Sequence, residues 1–314
     1  MLQQFDERNR KLIVNINGRL LARQEAGVSP FDSVVQGGDA VWEGLRLYNG
    51  RIFRLAEHLG RLRRSAQALA FAEIPADDEI IRQIKRTLAA NRMVDEVHIR
   101  LTLSRGEKLT SGMDPRLNQS GPTLIILAEF KKPVYDKSGL RLMTSTYRRP
   151  GPDVLDPRIH HNNLLNSILA KIQANAAGAD DALMLDGRGF VAETNATHIF
   201  AVSGSAVSTP RVVACPEGIT RVVVLQLCRE HEMGCRERDL SLAELYASDE
   251  LFCSGTMGEL APVVALDGRT IGGGRPGPIY QRLASAFRDL TETEGTIVVE
   301  AVPASTGVDG GDSR

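Results

Sequence analysis

The sequence predicts a mixed α+β and α/β protein with two domains, and three observations lead to this expectation. The chain has 314 residues, a length that fits one large or two medium domains. Segments with strand-like alternation and segments with helical spacing of apolar residues follow one another along it. A polar stretch at 131–139, which contains Pro133 and Gly139, interrupts the pattern and predicts a linker. We therefore expect a small N-terminal α+β domain over 1–130 and a larger C-terminal domain over 140–302.

The predicted N-terminal domain combines strands, joined by tight turns, with two helices. Asn-Gly pairs at 17–18 and 49–50 are typical of two-residue hairpins. Apolar residues at helical spacing predict helices over 57–69 and 77–91. The predicted strands are 12–16, 41–48, 51–55, 97–104 and 122–130. The last of them is almost entirely apolar, so we expect it to lie inside a sheet.

The predicted C-terminal domain alternates strands and helices and ends in a polar tail. Its predicted strands are 140–147, 181–185, 197–202 and 250–253. Its predicted helices are 162–176, 220–231, 240–246 and 277–291. An Asp-Gly pair at 267–268 predicts a hairpin. The tail at 303–314 is rich in Gly, Ser and Asp, and we expect it to be disordered.

Composition and charge argue against several classes of function. Lys and Arg number 38 against 39 Asp and Glu, so the chain has no general electrostatic reason to bind nucleic acid or an anionic membrane. No apolar run reaches the ~20 residues that a spanning helix needs, and the charged start lacks the apolar segment of a secretory signal. The four cysteines form no C-x-x-C pair, which favours idle reduced thiols. We therefore expect a cytoplasmic protein.

Two segments have residue types that suit an anionic ligand. Gly218, Ile219 and Thr220 open a predicted helix, whose free N–H groups and threonine cap suit a phosphate. Gly255 and Thr256 follow a predicted strand, where a glycine allows close backbone approach and a threonine offers a hydroxyl donor. Taken singly, an ordinary helix cap and an ordinary strand-end turn explain these segments equally well.

A third segment ends a strand-like stretch with Glu193, a carboxylate that could hold a protonated ring nitrogen or simply occupy a surface turn. In this order and spacing, the three segments resemble the class IV (fold type IV) pyridoxal-phosphate aminotransferases. That family includes branched-chain and D-amino-acid aminotransferases and aminodeoxychorismate lyase. The resemblance covers about residues 10–295. It also rests on the ordered blocks 31–32, 37–46, 57–62, 177–186 and 237–240.

The resemblance implies a fold type IV architecture with the active site in the cleft between the domains, and a C-terminal domain that binds the cofactor. It implies that Arg61 and Thr256 bind the cofactor phosphate together with the helix that begins at Ile219 and Thr220. It also implies that Glu193 keeps the pyridine nitrogen protonated, which makes the ring an electron sink. The cofactor-binding residues implied in this way are Arg61, Glu193, Gly218, Ile219, Thr220, Gly255 and Thr256.

The substrate side is implied less directly. Arg100, in the predicted strand with His98, falls where branched-chain enzymes have an arginine near the substrate. We therefore take Arg100 and His98 as candidate substrate residues. A strand arginine that faces solvent is the alternative interpretation of Arg100.

The sequence departs from the family at the Schiff-base lysine. That lysine lies three or four residues before the Asn that opens the central helix, which corresponds to Asn163 here, so its place falls on His160 or Ile159. No lysine occurs between Lys137 and Lys171, and a helical rise would place Lys171 ~16 Å beyond His160. Imidazole cannot replace the amine covalently, but it moves protons near neutral pH. We therefore predict His160, with Glu193, as the catalytic residues.

Two other polar positions of the expected pocket also differ from the family. His198 stands where an Asn is usual, and Leu164 stands where branched-chain enzymes have a tyrosine. A metal held by His160 and His161 is disfavoured, because adjacent histidines in one segment point in different directions. We predict no metal site.

Three interpretations of function remain open from the sequence. The first is a pyridoxal-phosphate aminotransferase that acts on a branched-chain or related amino acid and a 2-oxo acid. The second is an enzyme on the same scaffold that uses pyridoxamine phosphate or no cofactor, with His160 as acid and base. The third is a catalytically silent binding protein. In each case we expect a homodimer, and any pyridoxal phosphate to be held noncovalently or as pyridoxamine phosphate.

Overall fold

The computed structural model describes residues 3–300, and the predicted tail at 303–314 lies outside them. The strands form two sheets, one on each side of the predicted linker. The described chain also contains seven α-helices and two short 3₁₀ helices, at Glu7–Lys11 and Pro115–Leu117. The predicted fold class, a mixed α and β architecture, is confirmed.

The strands of the N-terminal sheet are β1 (Ile13–Ile16), β2 (Arg19–Ala22), β3 (Ala40–Tyr48), β4 (Arg51–Ile52), β5 (Val97–Ser104), β6 (Thr123–Phe130) and β16 (Thr296–Ile297). The sheet is antiparallel throughout and has the order β16-β4-β3-β5-β6-β1-β2. The apolar β6 lies inside it, between β5 and β1, as predicted. The late strand β16 joins this sheet at its edge, so the chain returns to the N-terminal unit after building the second one.

Three helices belong to the N-terminal part: α1 (Ser33–Gly37), α2 (Leu55–Ala68) and α3 (Asp77–Ala90). The buried residues of α2 and α3 recur every three or four positions, so each helix packs one apolar stripe on the sheet. The strand predicted over 51–55 is shorter than expected, because Leu55 is buried as the first residue of α2.

The strands of the second sheet are β7 (Leu140–Arg148), β8 (Asp181–Leu185), β9 (Val191–Thr194), β10 (His198–Ser203), β11 (Ala206–Thr209), β12 (Cys235–Glu237), β13 (Glu250–Gly255), β14 (Glu259–Leu266) and β15 (Arg269–Thr270). This sheet is mixed and has the order β12-β11-β10-β13-β14-β7-β8-β9, with β15 paired to β14. The pairs β7/β8, β7/β14 and β11/β12 are parallel. The short strands β11, β12 and β15 were not predicted, since two to four residues give too little alternation to detect.

The helices of the second part are α4 (Leu165–Ala176), α5 (Ile219–Glu230), α6 (Leu242–Tyr246) and α7 (Pro278–Thr293). The helix predicted from residue 162 begins only at Leu165. The preceding segment is bonded to β3 instead: the Asn162 N–H donates to the Ala40 carbonyl, and the Trp42 N–H donates to the His160 carbonyl. This docking positions His160 against the N-terminal sheet.

Candidate active site

A cavity of about 800 Å³ opens between the two sheets. All of the predicted cofactor-binding residues line it, and so does His160. The N-terminal part contributes Trp42 and Gly44 from β3 and Arg61 from α2. The second part contributes the end of β9, the start of α5 and the turn between β13 and β14.

One end of the cavity is built to receive an anion. The first amides of α5 point there from Ile219 and Thr220, and helix N-termini favour negative charge. Gly218 begins this helix at φ +72°, and a Cβ at that position would overlap with the His198 ring. Beside it, Ser254 is fully buried, and its hydroxyl has no partner among the described residues.

Arg61 reaches this end from α2 and is held in place by a buried carboxylate. Its Nε and Nη2 each donate to Glu43, at 2.7 Å. His58 Nδ1 lies 2.7 Å from the same carboxylate. The bidentate bond fixes the guanidinium plane and leaves Nη1 of Arg61 without a partner among residues 3–300. Sequence reasoning indicated Arg61 but assigned no role to Glu43 or His58, although both lie within the quoted blocks.

Glu193 stands at a second position on the wall, on β9. It is buried, and its Oε1 lies 2.6 Å from Nη2 of Arg149. Burial raises the pKa of Glu193 to about 7, while the charges of Arg149 and Arg61 act in the opposite direction. Sequence reasoning missed Arg149. The signal was a pair of arginines directly after the predicted strand 140–147.

His198 lies between the two ends of the cavity. Its Nδ1 is 3.9 Å from Oε2 of Glu193, and its ring covers Gly218. Burial lowers the pKa of His198 well below its ordinary value, and the nearby Arg221 and Arg61 add to this effect. A neutral ring therefore occupies the position where the family usually has an Asn.

His160 is fixed on the opposite wall. Its ring stacks on the Trp42 ring with centroids 4.4 Å apart. Its backbone N–H donates to the Ser65 hydroxyl at 3.0 Å. Ile159, the other candidate position for the family's lysine, packs against the N-terminal core. The structure thus brings His160, rather than Ile159, to the cavity.

The candidate substrate residues lie behind this wall and are not among the residues that line the cavity. Arg100 places its guanidinium 3.7 Å from the centre of the Trp42 ring and donates to Oδ1 of Asn162 at 2.5 Å. His98 is buried, and burial lowers its pKa to about 3. Facing it on β3 is Arg46, which is 3% exposed and whose Nε and Nη1 have no partner within the described chain. Sequence reasoning did not single out Arg46.

Comparison with known proteins decides the family. The family model for "Amino-transferase class IV" matches residues 40–266. The chain belongs to the class IV aminotransferases. It is 39% identical to a putative branched-chain-amino-acid aminotransferase of Methanocaldococcus jannaschii, over 91% of this chain and 99% of that protein. It is 54% identical to branched-chain-amino-acid aminotransferase-like protein 2 of Arabidopsis thaliana, over 91% of this chain. The chain spans about half (52%) of the length of that plant relative.

Solved structures of class IV aminotransferases share the fold. The branched-chain amino acid aminotransferase of Escherichia coli superposes with a TM-score of 0.84 at 29% identity, and the match covers 90% of this chain and 96% of that one. A thermophilic branched-chain amino acid aminotransferase with pyridoxamine 5'-phosphate gives 0.83 at 31% identity, over 90% of this chain and 94% of that one. These relatives support an aminotransferase-like enzyme and do not favour the non-transaminase or silent interpretations. Within the described residues, no helix is both long and apolar enough to cross a membrane.

The cavity of this class IV aminotransferase fits the family's cofactor. The orphaned Ser254 hydroxyl, the α5 amides and the free Nη1 of Arg61 converge on an anion, as a phosphate requires. Glu193 supplies a buried carboxylate at a distinct position, as a protonated ring nitrogen requires. The donor set is thus suited to pyridoxal phosphate.

The only lysine among the described residues that line the cavity is Lys171, on α4. Its Nζ lies 2.9 Å from Oδ1 of the buried Asp181 and also donates to the Asp180 carbonyl. The ammonium is therefore committed to the β8 end of the cavity. No lysine occupies the position of His160.

The predicted linker forms part of the same wall. The Tyr135 hydroxyl donates to Oδ2 of Asp181 at 2.5 Å. Nζ of Lys137 donates to the carbonyls of Gly258 and Leu260, at 2.7 and 2.8 Å. These bonds attach the linker to the turn that follows Thr256. The sequence indicated only a polar connection here.

Proposed function

We propose that this chain is a pyridoxal-phosphate-dependent aminotransferase that transfers an amino group between a branched-chain or related amino acid and a 2-oxo acid. One observation supports this most strongly: a single cavity holds an anion site at Arg61, Thr220 and Thr256 and a separate buried carboxylate at Glu193. A cofactor with a phosphate at one end and a basic ring nitrogen at the other matches both.

The residues of the chain have distinct roles in this proposal. Bound pyridoxal phosphate supplies an electron sink for the α-carbon of an amino acid. Arg61, Thr220 and Thr256 bind the phosphate. Glu193, paired with Arg149, holds the proton on the ring nitrogen. His160 moves a proton within the cavity, since a neutral imidazole near neutral pH is both acceptor and, once charged, donor.

Substrate binding is proposed at the face where β3 and β5 meet. Arg46 and Arg100 are cations with little solvent around them, beside the wall formed by Trp42 and Gly44. A substrate carboxylate is the group that such cations attract. His98, next to both, keeps its predicted place at the substrate side. The noncovalent state of the cofactor also remains part of the proposal, because His160 cannot bond to it as an amine does.

The proposal includes a homodimer. Helix α4 presents apolar side chains at positions i, i+3, i+4 and i+7, each between 38% and 65% exposed. They are Leu165, Ile168, Leu169 and Ile172. A contiguous exposed apolar stripe of this kind is typical of a protein interface. The domain boundaries at 130 and 140, with two sheets as the cores, and the cytoplasmic location are proposed on the same footing.

Half-reactions test the function directly. The protein is loaded with pyridoxamine phosphate and mixed with a panel of branched-chain, aromatic and acidic 2-oxo acids. The conversion of the cofactor to pyridoxal phosphate is then followed by chromatography. We expect conversion with at least one branched-chain 2-oxo acid, and no mass increase of the chain after borohydride reduction. Saturable binding without conversion in either direction would instead favour a binding protein, and no binding at millimolar cofactor would reject the cofactor assignment.

A further inference from the structure

Glu43 is a fully buried carboxylate that links two predicted functions. One pair of its contacts goes to Arg61, the proposed phosphate ligand, and another goes to His58. In addition, its Oε1 lies 3.4 Å from Nδ1 of His160, the proposed proton carrier. Although burial opposes ionisation, the charge of Arg61 and the contact with His160 hold the pKa of Glu43 well below its usual range. A charged carboxylate therefore faces one nitrogen of the His160 ring.

The same nitrogen has a second acceptor. Nδ1 of His160 lies 2.5 Å from the backbone carbonyl oxygen of Trp42. A carbonyl oxygen accepts hydrogen bonds and never donates them. Both neighbours of Nδ1 are thus acceptors, so the proton of the neutral ring belongs on Nδ1. The unprotonated nitrogen, which takes up a proton, is then Nε2.

The ring has little freedom to exchange its two nitrogens. The stack on Trp42 holds one face, and the Ser65 hydroxyl holds the His160 backbone. The Trp42 N–H in turn donates to the His160 carbonyl. Burial lowers the pKa of His160, so the ring is neutral at neutral pH and has a lone pair available.

We infer that Glu43 is a positioning residue for His160. Together with the Trp42 carbonyl, it keeps the proton on Nδ1 and leaves Nε2 as the atom that accepts and returns a proton in the cavity. A carboxylate behind an imidazole has this effect in hydrolytic triads, where it holds the tautomer without becoming protonated itself. The inference rests on the proposed function of His160, and it adds the reacting atom and the residue that selects it.

Nitrogen-15 NMR of the full chain, labelled on its histidine rings, tests the tautomer without turnover. The His160 signals are identified by their absence from His160→Gln, and His161→Gln serves as the matched neighbour control that retains them. We expect a protonated Nδ1 and an unprotonated Nε2 in wild type, with and without pyridoxamine phosphate. A protonated Nε2 would overturn the inference. Since no reaction is needed, this outcome is separable from a failure of transamination.

Glu43→Gln tests the positioning role. We expect part of the His160 population to move to the Nε2–H tautomer, and kcat of the half-reaction to fall about tenfold or more with KM within about twofold. Unchanged NMR signals together with an unchanged rate would reject Glu43 as the positioning residue. If the loss of the Arg61 pair prevents folding, Glu43→Asp retains the charge but withdraws it by one methylene, and the same two readouts decide.

Discussion

Nη2 of Arg149 lies 2.6 Å from Oε1 of Glu193, and this ion pair governs the charge state of the most buried carboxylate that faces the cavity from the second sheet. Burial alone raises the pKa of Glu193, and Arg149 offsets part of this effect, so that the result is about 7. In the protein without cofactor, Glu193 is therefore balanced between its two protonation states near neutral pH. A ring nitrogen that brings a proton would favour the charged form.

Replacing Glu193 by Gln should change the pH dependence of stability. The folded pKa of about 7 exceeds the unfolded value, so the native state binds the extra proton between about pH 4.5 and 7. Wild type therefore loses stability relative to Glu193→Gln as pH rises through this window, by up to about 1.4 kcal/mol per pH unit. Urea unfolding of both proteins at pH 5, 6, 7 and 8 measures the difference. A constant difference would mean that Glu193 is already ionised at pH 5.

The same substitution should lower the half-reaction rate by about 100-fold, since an amide cannot hold the ring nitrogen protonated. The effect on folding at pH 7 should be far smaller. Rapid mixing with a 2-oxo acid measures the rate, and Glu237→Gln, at an exposed carboxylate paired with Arg221, serves as the control. Full activity in Glu193→Gln would show that Glu193 is structural.

Removing either phosphate hydroxyl should weaken cofactor binding. A hydrogen bond to a charged group contributes about 1.5–3 kcal/mol, so Thr220→Val and Thr256→Val should each raise the Kd for pyridoxal phosphate about 10- to 100-fold. Equilibrium dialysis measures the Kd. Thr293→Val removes an exposed hydroxyl at the end of α7 and should leave it unchanged. Equal Kd values for all three variants would place the phosphate elsewhere.

The substitution His160→Lys should restore what the family's mechanism requires. It should raise the transamination rate above that of wild type and bind the cofactor covalently, because an amine then reaches the cavity wall. His160→Ala should fall below wild type by about 100-fold, since proton transfer is lost. Borohydride trapping and half-reaction rates measure both effects. His161→Lys is the matched control, one residue away and not part of the cavity lining; trapping there instead would show that the lysine's place is His161.

The linker should support the Thr256 turn through Lys137. Lys137→Met removes the ammonium that donates to the Gly258 and Leu260 carbonyls, at a cost of about 1–3 kcal/mol. We expect a lower midpoint in urea and a Kd for pyridoxal phosphate that rises severalfold. Lys132→Met, in the same segment with a side chain 77% exposed, should change neither. If the two variants behave alike, the turn is rigid without the linker.

Much of the architecture was predictable because local patterns carry it. The apolar spacing of Leu59 and Leu62 predicted α2, and the Asn-Gly pairs predicted the first hairpins. The ordered blocks predicted the family, and residues with phosphate-binding chemistry, such as Thr220 and Thr256, could be named in advance. These signals depend on a residue and its near neighbours in the chain, which a sequence displays directly.

The partners of those residues depended on the tertiary structure. Arg61 and Glu43 are 18 residues apart, Glu193 and Arg149 are 44 apart, and His160 meets Trp42 across 118 positions. No local pattern reports which buried charge a distant strand or helix will neutralise. The sequence by itself determined the family, the element order and the loss of the lysine. Only the packing of α2 and the 160–164 segment against β3 decided that His160 faces the cavity, because burial leaves each charged or polar group in need of a specific partner.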